Sequence, residues 1–297
     1  MILKLGSTGE YVKILQELLG VQPVDGIFGN QTKSSVMSFQ RRNKIPSDGI
    51  VGARTWKALE YNPIEYSLDT DRQSYGNWIE TYHLPEGQYV KDPTSKQYIV
   101  LHHTAGRENP YKVIDHWASD NRGRVGTNYV IGGVSIDGRN DQHDGKILRA
   151  IDDEYYGWHI GYGSTMHLKR HSLSIEICSA GGLEERNGRW YTWFGALVEE
   201  SQVCILKKSF RGYRAFHRYS NEQLKSLEAL LKYLSETHGI NLKIGMQDWI
   251  NRGVNAFDLN LPATEGRING LLNHTNFRKD KSDIFPQPEI IELIKNL

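Results

Sequence analysis

Two copies of one pattern, DGIFGNQT at residues 25–32 and DGIVGART at 48–55, stand 23 positions apart within the first 60 residues. Asp-Gly marks a turn, the second glycine suits a left-handed or crowded backbone position, and Thr32 and Thr55 stand where a helix would start. Each copy is therefore a turn that leads into a helix. Val12, Leu15, Leu18 and Leu19 fall on one helical face before the first copy. Val36, Phe39 and Gln40 continue the 3.6-residue period between the copies, and Trp56 and Leu59 follow the second. The segment is thereby restricted to three short helices around one small core.

The whole chain has 297 residues, more than one domain usually takes, so a second and larger domain is expected. Its net charge of +1 argues against a nucleic-acid partner, because phosphate binding normally leaves a strong basic excess. Residues 1–60 carry +3 and the remainder −2, a weakly basic module that suits an anionic polymer or simply a solvated surface. Cys178 and Cys204 both lie in apolar surroundings and read as buried free thiols. The N-terminus lacks a basic region followed by a long apolar run. No stretch approaches the ~18 apolar residues of a membrane helix, so neither a signal peptide nor membrane insertion is expected.

Residues 61–95 hold Pro63, Pro85 and Pro93 together with Tyr61, Tyr66, Tyr75, Trp78, Tyr82 and Tyr89. So many aromatics suggest a linker that packs in part on the second domain. From 96 onward strands and helices alternate. YIVLHH, NYVIGG, DGKILRAI and HSLSIEICSA read as strands. Pro110 starts a helix with Val113, Ile114 and Trp117 inward. Ser220 and Gln223 form a capping box for a helix with a stripe of Leu224, Leu227, Leu230, Leu231 and Leu234, stopped near Gly239. PEIIELIKNL closes the chain as a helix. The expected fold class is an α/β domain with a mixed central sheet flanked by helices, preceded by the small three-helix domain.

Strand parity sorts the chemistry. In YIVLHH, Tyr98, Val100 and His102 point to one face and Ile99, Leu101 and His103 to the other, so the adjacent histidines cannot easily share one metal. One is a ligand candidate and the other support. Glu176 shares a face with Ser174 and Cys178, opposite Ile175 and Ile177. A carboxylate so placed needs a salt bridge or a function. Near the C-terminus, His274, Lys281 and Asp283 stand on what reads as a polar loop. A catalytic zinc takes three protein ligands of nitrogen and oxygen type and leaves a position open, and His102, His274 and Asp283 supply such a set. His217 is the competing histidine. His83, His116, His143, His167, His171 and His238 read as solvated or structural.

Two resemblances add to this reading. LKLGSTGEYVKILQELLG and VDGIFGNQTKSSVMSFQRRNKIPSDGIVGARTWKAL, over residues 3–59, resemble the small peptidoglycan-binding domain of wall hydrolases. Residues 96–297 resemble the zinc-dependent N-acetylmuramoyl-L-alanine amidases related to peptidoglycan recognition proteins and to amidase-type phage lysozymes. VLHHTAG maps the family's first metal histidine to His102, and SIEI maps its catalytic glutamate to Glu176. GWHIG maps its aromatic-His-Gly step to Trp158 and His159. The closing histidine, lysine and last ligand map to His274, Lys281 and Asp283. Some members carry a tyrosine near Thr127, which is counted with Trp158 and His159 as substrate-binding. Asn273 before the second histidine and Thr275-Asn276 after it depart from the family pattern, and extra material is expected at 183–219 and 244–270.

The resemblance implies domains at 1–60 and 96–297 with a linker at 61–95. It also implies a Zn2+ cofactor and bacterial peptidoglycan as the partner of a monomer. The activity implied is hydrolysis of the amide between N-acetylmuramic acid and L-alanine. Zinc would polarise the carbonyl, Glu176 would shuttle the proton and Lys281 would stabilise the oxyanion. The alternative is a recognition protein that binds wall fragments without cutting them. A glycosidase would need a second carboxylate to pair with Glu176. A wall-binding domain joined to a wall hydrolase without a signal peptide implies an endolysin, made in the host cytoplasm and acting on the wall at lysis.

Overall fold

The computed structural model describes residues 3–59, 78–161 and 164–297. Contacts divide the chain into two compact units, Met1–Asn77 and Trp78–Leu297. Of the aromatics and prolines expected in a packed linker, Tyr61, Pro63, Tyr66 and Tyr75 lie outside the described residues.

In the first unit, α1 (Glu10–Leu19), α2 (Asn30–Arg42) and α3 (Ala53–Ala58) enclose Val12, Leu15, Phe28, Val36, Val51 and Trp56. Gly26 and Gly49, at matching places in the two copies, adopt φ of 73° and 71°, the left-handed region that the turn requires. The helices begin two residues before Thr32 and Thr55, at Asn30 and Ala53. Leu18 is 44% exposed instead of buried, and Gln16 takes the interior place.

That glutamine explains the repeat. Gln16 Nε2 donates to Asp25 Oδ1 (2.8 Å), the Ile27 carbonyl (3.1 Å) and Thr32 Oγ1 (3.2 Å), and its Oε1 accepts from the Gly26 amide (2.9 Å). Gln40 makes the same four contacts, to Asp48 Oδ1 (3.0 Å), the Ile50 carbonyl (2.9 Å), Thr55 Oγ1 (3.2 Å) and the Gly49 amide (3.0 Å). Each threonine of the pattern therefore stands beside a buried glutamine amide as the third acceptor around its two N–H groups.

The second unit is built on a six-stranded sheet. Its strands are β1 (Ile79–Thr81), β2 (Tyr98–His103), β3 (Tyr129–Ile131), β4 (Ile147–Arg149), β5 (Ser172–Ile177) and β10 (Gly270–Asn273), in the order β1-β4-β3-β5-β2-β10. The run β3-β5-β2-β10 is parallel and β4 is antiparallel to β3, so the sheet is mixed. All six residues of β2 are buried, as befits a central parallel strand covered on both faces. Pro110–Ala118 forms α4 under an Asn109 cap, and Asn221–His238 forms a later helix whose Ser220/Gln223 capping box and left-handed Gly239 stop match expectation. Its leucine stripe joins the core with Ile290 and Ile294 of the closing helix, Pro288–Lys295. Leu84 is buried against Ile114 and Trp117. Cys178 and Cys204 are buried and free. No helix among the described residues is long and apolar enough to cross a membrane.

Two features were not anticipated. Residues in the 183–219 region form a second, antiparallel sheet of β6 (Gly182–Arg186), β7 (Arg189–Tyr191), β8 (Val203–Phe210) and β9 (Tyr213–His217) in the order β7-β6-β9-β8. The residues just before His274 form strand β10, paired with β2 from Gly270↔Tyr98 to Asn273↔Leu101.

Replacing Gln16 or Gln40 with Ala leaves a buried amide and its acceptors without a partner. Each change is expected to lower the opening free energy of the first unit by about 2–4 kcal/mol. Amide hydrogen exchange of the full chain checks this: Gly26 loses protection in Q16A and Gly49 in Q40A. Unchanged exchange at both glycines would contradict the role given to the glutamines.

Candidate metal centre

Parallel alignment brings the ends of three strands together. His102 pairs in register with Glu176, so both side chains leave the same face of the sheet. His274 follows Asn273, the partner of Leu101, and so lies beside the same edge. The site thus sits at the carboxyl ends of parallel strands, the usual place for a ligand in an open α/β sheet.

His102, His274 and Asp283 converge, with their ligand atoms within 4.8 Å of one another. His102 Nδ1 lies 3.1 Å from His274 Nδ1 and 3.3 Å from Asp283 Oδ2, and His274 Nδ1 lies 2.8 Å from the same oxygen. Ligand atoms held ~2.0–2.1 Å from one tetrahedral zinc stand roughly 3.3 Å apart, so the spacing suits such an ion after a small expansion. His274 Nε2 donates to the Ile160 carbonyl at 3.1 Å, which turns Nδ1 toward the carboxylate. Two lone-pair atoms at 2.8 Å repel unless a proton or a cation lies between them. The donor set therefore fits a divalent metal.

His274 is not on a solvated polar loop, as its sequence surroundings imply. Asn273, Thr275 and Asn276 are fully buried around it. Asn273 and Asn276 form a reciprocal capping box, and Asn276 Nδ2 donates to the carbonyls of Ala256 and Asp258, both at 2.9 Å. The residues that depart from the family pattern are thus the ones that fix the backbone at His274. Asp283 is anchored by its two C-terminal neighbours. Ile284 and Phe285 are buried, and the Phe285 ring stacks on Phe216 and Tyr219 with centroids 4.3 and 4.6 Å away. Phe216 belongs to β9, so the second sheet backs the aspartate.

His103, on the opposite face, pairs with the Tyr219 hydroxyl at 2.8 Å. His217 accepts from the Ala180 amide at 3.2 Å and stands apart from the cluster. Burial pulls His102 and His103 down to about 4, against the opposing influence of Asp283, so both rings are neutral. Burial by itself would raise Asp283. The imidazoles of His274 and His102 against its carboxylate outweigh that and hold the carboxyl well below the usual range.

A cleft of about 390 Å³ opens over the cluster, lined by Glu176, Lys281, Thr127 and Trp158 among others. The Glu176 carboxylate has no hydrogen bond or ion pair among the described residues, so the salt bridge that would explain it structurally is missing. Enclosure, with Asp283 adding to it and Lys281 opposing, pushes its carboxyl up to about 8. Trp158 is 45% exposed. The Thr127 hydroxyl donates to the Tyr129 carbonyl at 2.9 Å. Both ring nitrogens of His159 are engaged, Nδ1 with His102 Nε2 at 2.9 Å and Nε2 with Ser172 Oγ at 2.8 Å. It therefore has no free ring nitrogen for the substrate contact that the resemblance implies. The Ser172 link was missed in the sequence, although Ser172 shares the parity of Glu176.

The family model described as "N-acetylmuramoyl-L-alanine amidase" matches residues 92–252, and that described as "Putative peptidoglycan binding domain" matches 8–59. A protein of Bacillus licheniformis named "Probable N-acetylmuramoyl-L-alanine amidase" is 35% identical over 104 residues, 32% of this chain and 27% of the relative. An uncharacterized protein of Kitasatospora aureofaciens is 39% identical over 66 residues, 20% of this chain and 56% of the relative. The chain thus spans about a quarter and about half of the lengths of these curated relatives. The solved structure of PlyL is similar at 14% identity and a TM-score of 0.41, over 73% of this chain and 95% of that one. The amidase match ends at 252, before His274 and Asp283.

An acid raised from an ordinary 4.5 to about 8 binds its proton more tightly when folded, so stability falls as pH rises through that window. Glu176→Gln is expected to raise the melting temperature of the metal-free protein at pH 8 by more than about 3 °C and to leave it unchanged at pH 4. Thermal unfolding at the two pH values checks this; equal shifts at both would contradict it.

Proposed function

The chain belongs to the N-acetylmuramoyl-L-alanine amidase family, and we propose that it is a zinc-dependent hydrolase of bacterial peptidoglycan. The bond cleaved is the amide between the lactyl group of N-acetylmuramic acid and the L-alanine of the stem peptide. The observation that carries this reading is the His102–His274–Asp283 cluster beside an unpaired Glu176 in an open cleft. Zinc bound to these three residues would polarise the amide carbonyl and make water nucleophilic near neutral pH.

The protein's own groups supply the rest. Glu176 would take the proton of the attacking water and hand it to the leaving amine, and its raised carboxyl suits a group that must both accept and give. Lys281, two residues before Asp283 on the same cleft wall, offers a cation to the oxyanion that forms from the carbonyl. Trp158 presents an exposed indole face to the substrate. The first unit, by holding the polymer, would raise the local concentration of the second on an insoluble substrate. Joining wall binding to wall cleavage supports an endolysin role, in which the enzyme lyses a host from its cytoplasmic side.

Digestion of purified peptidoglycan tests the proposal. New L-alanine amino termini without new reducing sugars are expected, lost on chelation and restored by zinc. Glu176→Gln is expected to lower the rate about 10²–10⁴-fold and Lys281→Ala about 10²–10³-fold. New reducing sugars alone would indicate a glycosidase. Binding with no new ends would indicate a recognition protein.

A further inference from the structure

His159 and Ile160, adjacent in the chain, meet both metal-site histidines from behind. The Ile160 carbonyl accepts from His274 Nε2 at 3.1 Å, and His159 Nδ1 stands 2.9 Å from His102 Nε2. A carbonyl can only accept, so in the neutral ring the first contact leaves His274 with its lone pair on Nδ1, facing the cluster. His102 must also present Nδ1 as a lone pair if a cation is to bind there, and its ring proton then has to sit on Nε2. His159 can receive that proton's hydrogen bond only if its own proton is on Nε2, where Ser172 Oγ lies at 2.8 Å. Ser172 in turn has the Lys169 carbonyl at 3.5 Å to receive its hydroxyl hydrogen. The chain of contacts runs in one sense, from His102 to His159 to Ser172 to a backbone carbonyl that ends it.

We propose that His159, backed by Ser172, is a positioning residue that takes the ring N–H of His102 and leaves His102 Nδ1 as a metal-binding lone pair, as the Ile160 carbonyl does for His274. Partners behind a ligating histidine commonly set its tautomer and orientation in this way. The inference rests on the metal reading given above, and it moves His159 from substrate contact to ligand support.

Zinc affinity of the full chain, measured by competition with a chromogenic chelator, tests it. Asn at 159 keeps an acceptor near the place of Nδ1, whereas Phe keeps a ring and no acceptor. His159→Phe is expected to weaken zinc binding about 10–100-fold and His159→Asn by less than about threefold. Wild-type affinity in His159→Phe, or equal losses in both variants, would overturn the positioning role. Should either variant fail to fold, the zinc-loaded wild type decides by long-range 1H–15N correlation. Protons on Nε2 of His102, His159 and His274 are expected, and a proton on Nδ1 of His159 overturns the inference. A wild type that binds no zinc would instead sink the metal reading itself.

Discussion

Alternation along one fully buried strand, Tyr98–His103, divides the second unit into two chemistries. His102 leaves one face toward Glu176, His274 and Asp283, while His103 leaves the other and pairs with Tyr219. Because β5, β2 and β10 run parallel in fixed register, their carboxyl ends lie side by side and deliver a glutamate and two histidines to one edge. A slip of one residue in β2 would exchange His102 for His103 and dismantle the cluster.

The cluster itself is a set of lone pairs held closer than they would sit unaided. The protein maintains it by anchoring each member from outside. Asn273 and Asn276 lock the backbone at His274, and the Phe216–Phe285–Tyr219 stack holds the chain just past Asp283. The second sheet, which contributes Phe216, thus belongs to the support of the site, although none of its strands supplies a residue to the metal cluster.

Much of this was legible in the sequence where the signal is local. The β2 alternation, the Ser220/Gln223 cap and the turn repeat each depend on residues a few positions apart, and parity separated His102 from His103 and Glu176 from its isoleucine neighbours, while the strand register that matches His102 to Glu176 came from the structure. What could not be read depends on distant partners. Gln16 looks like an ordinary polar helix residue, and Gln40 shows only as a member of a helical period, until their contacts 8 to 16 residues away are known. Strand β10 has four residues, too few for a period, and its pairing with β2 spans 172 positions in sequence. Asn273 and Asn276 read as loop polarity because their acceptors, Ala256 and Asp258, lie in another segment.

The central claim is that one zinc is held by His102, His274 and Asp283. X-ray absorption at the zinc edge of the loaded full chain measures the ligands directly. Two imidazole nitrogens, at least one carboxylate oxygen and no sulfur are the expected shell, at one zinc per chain and lost in His274→Ala. A sulfur ligand, or an unchanged shell in that variant, would contradict the account.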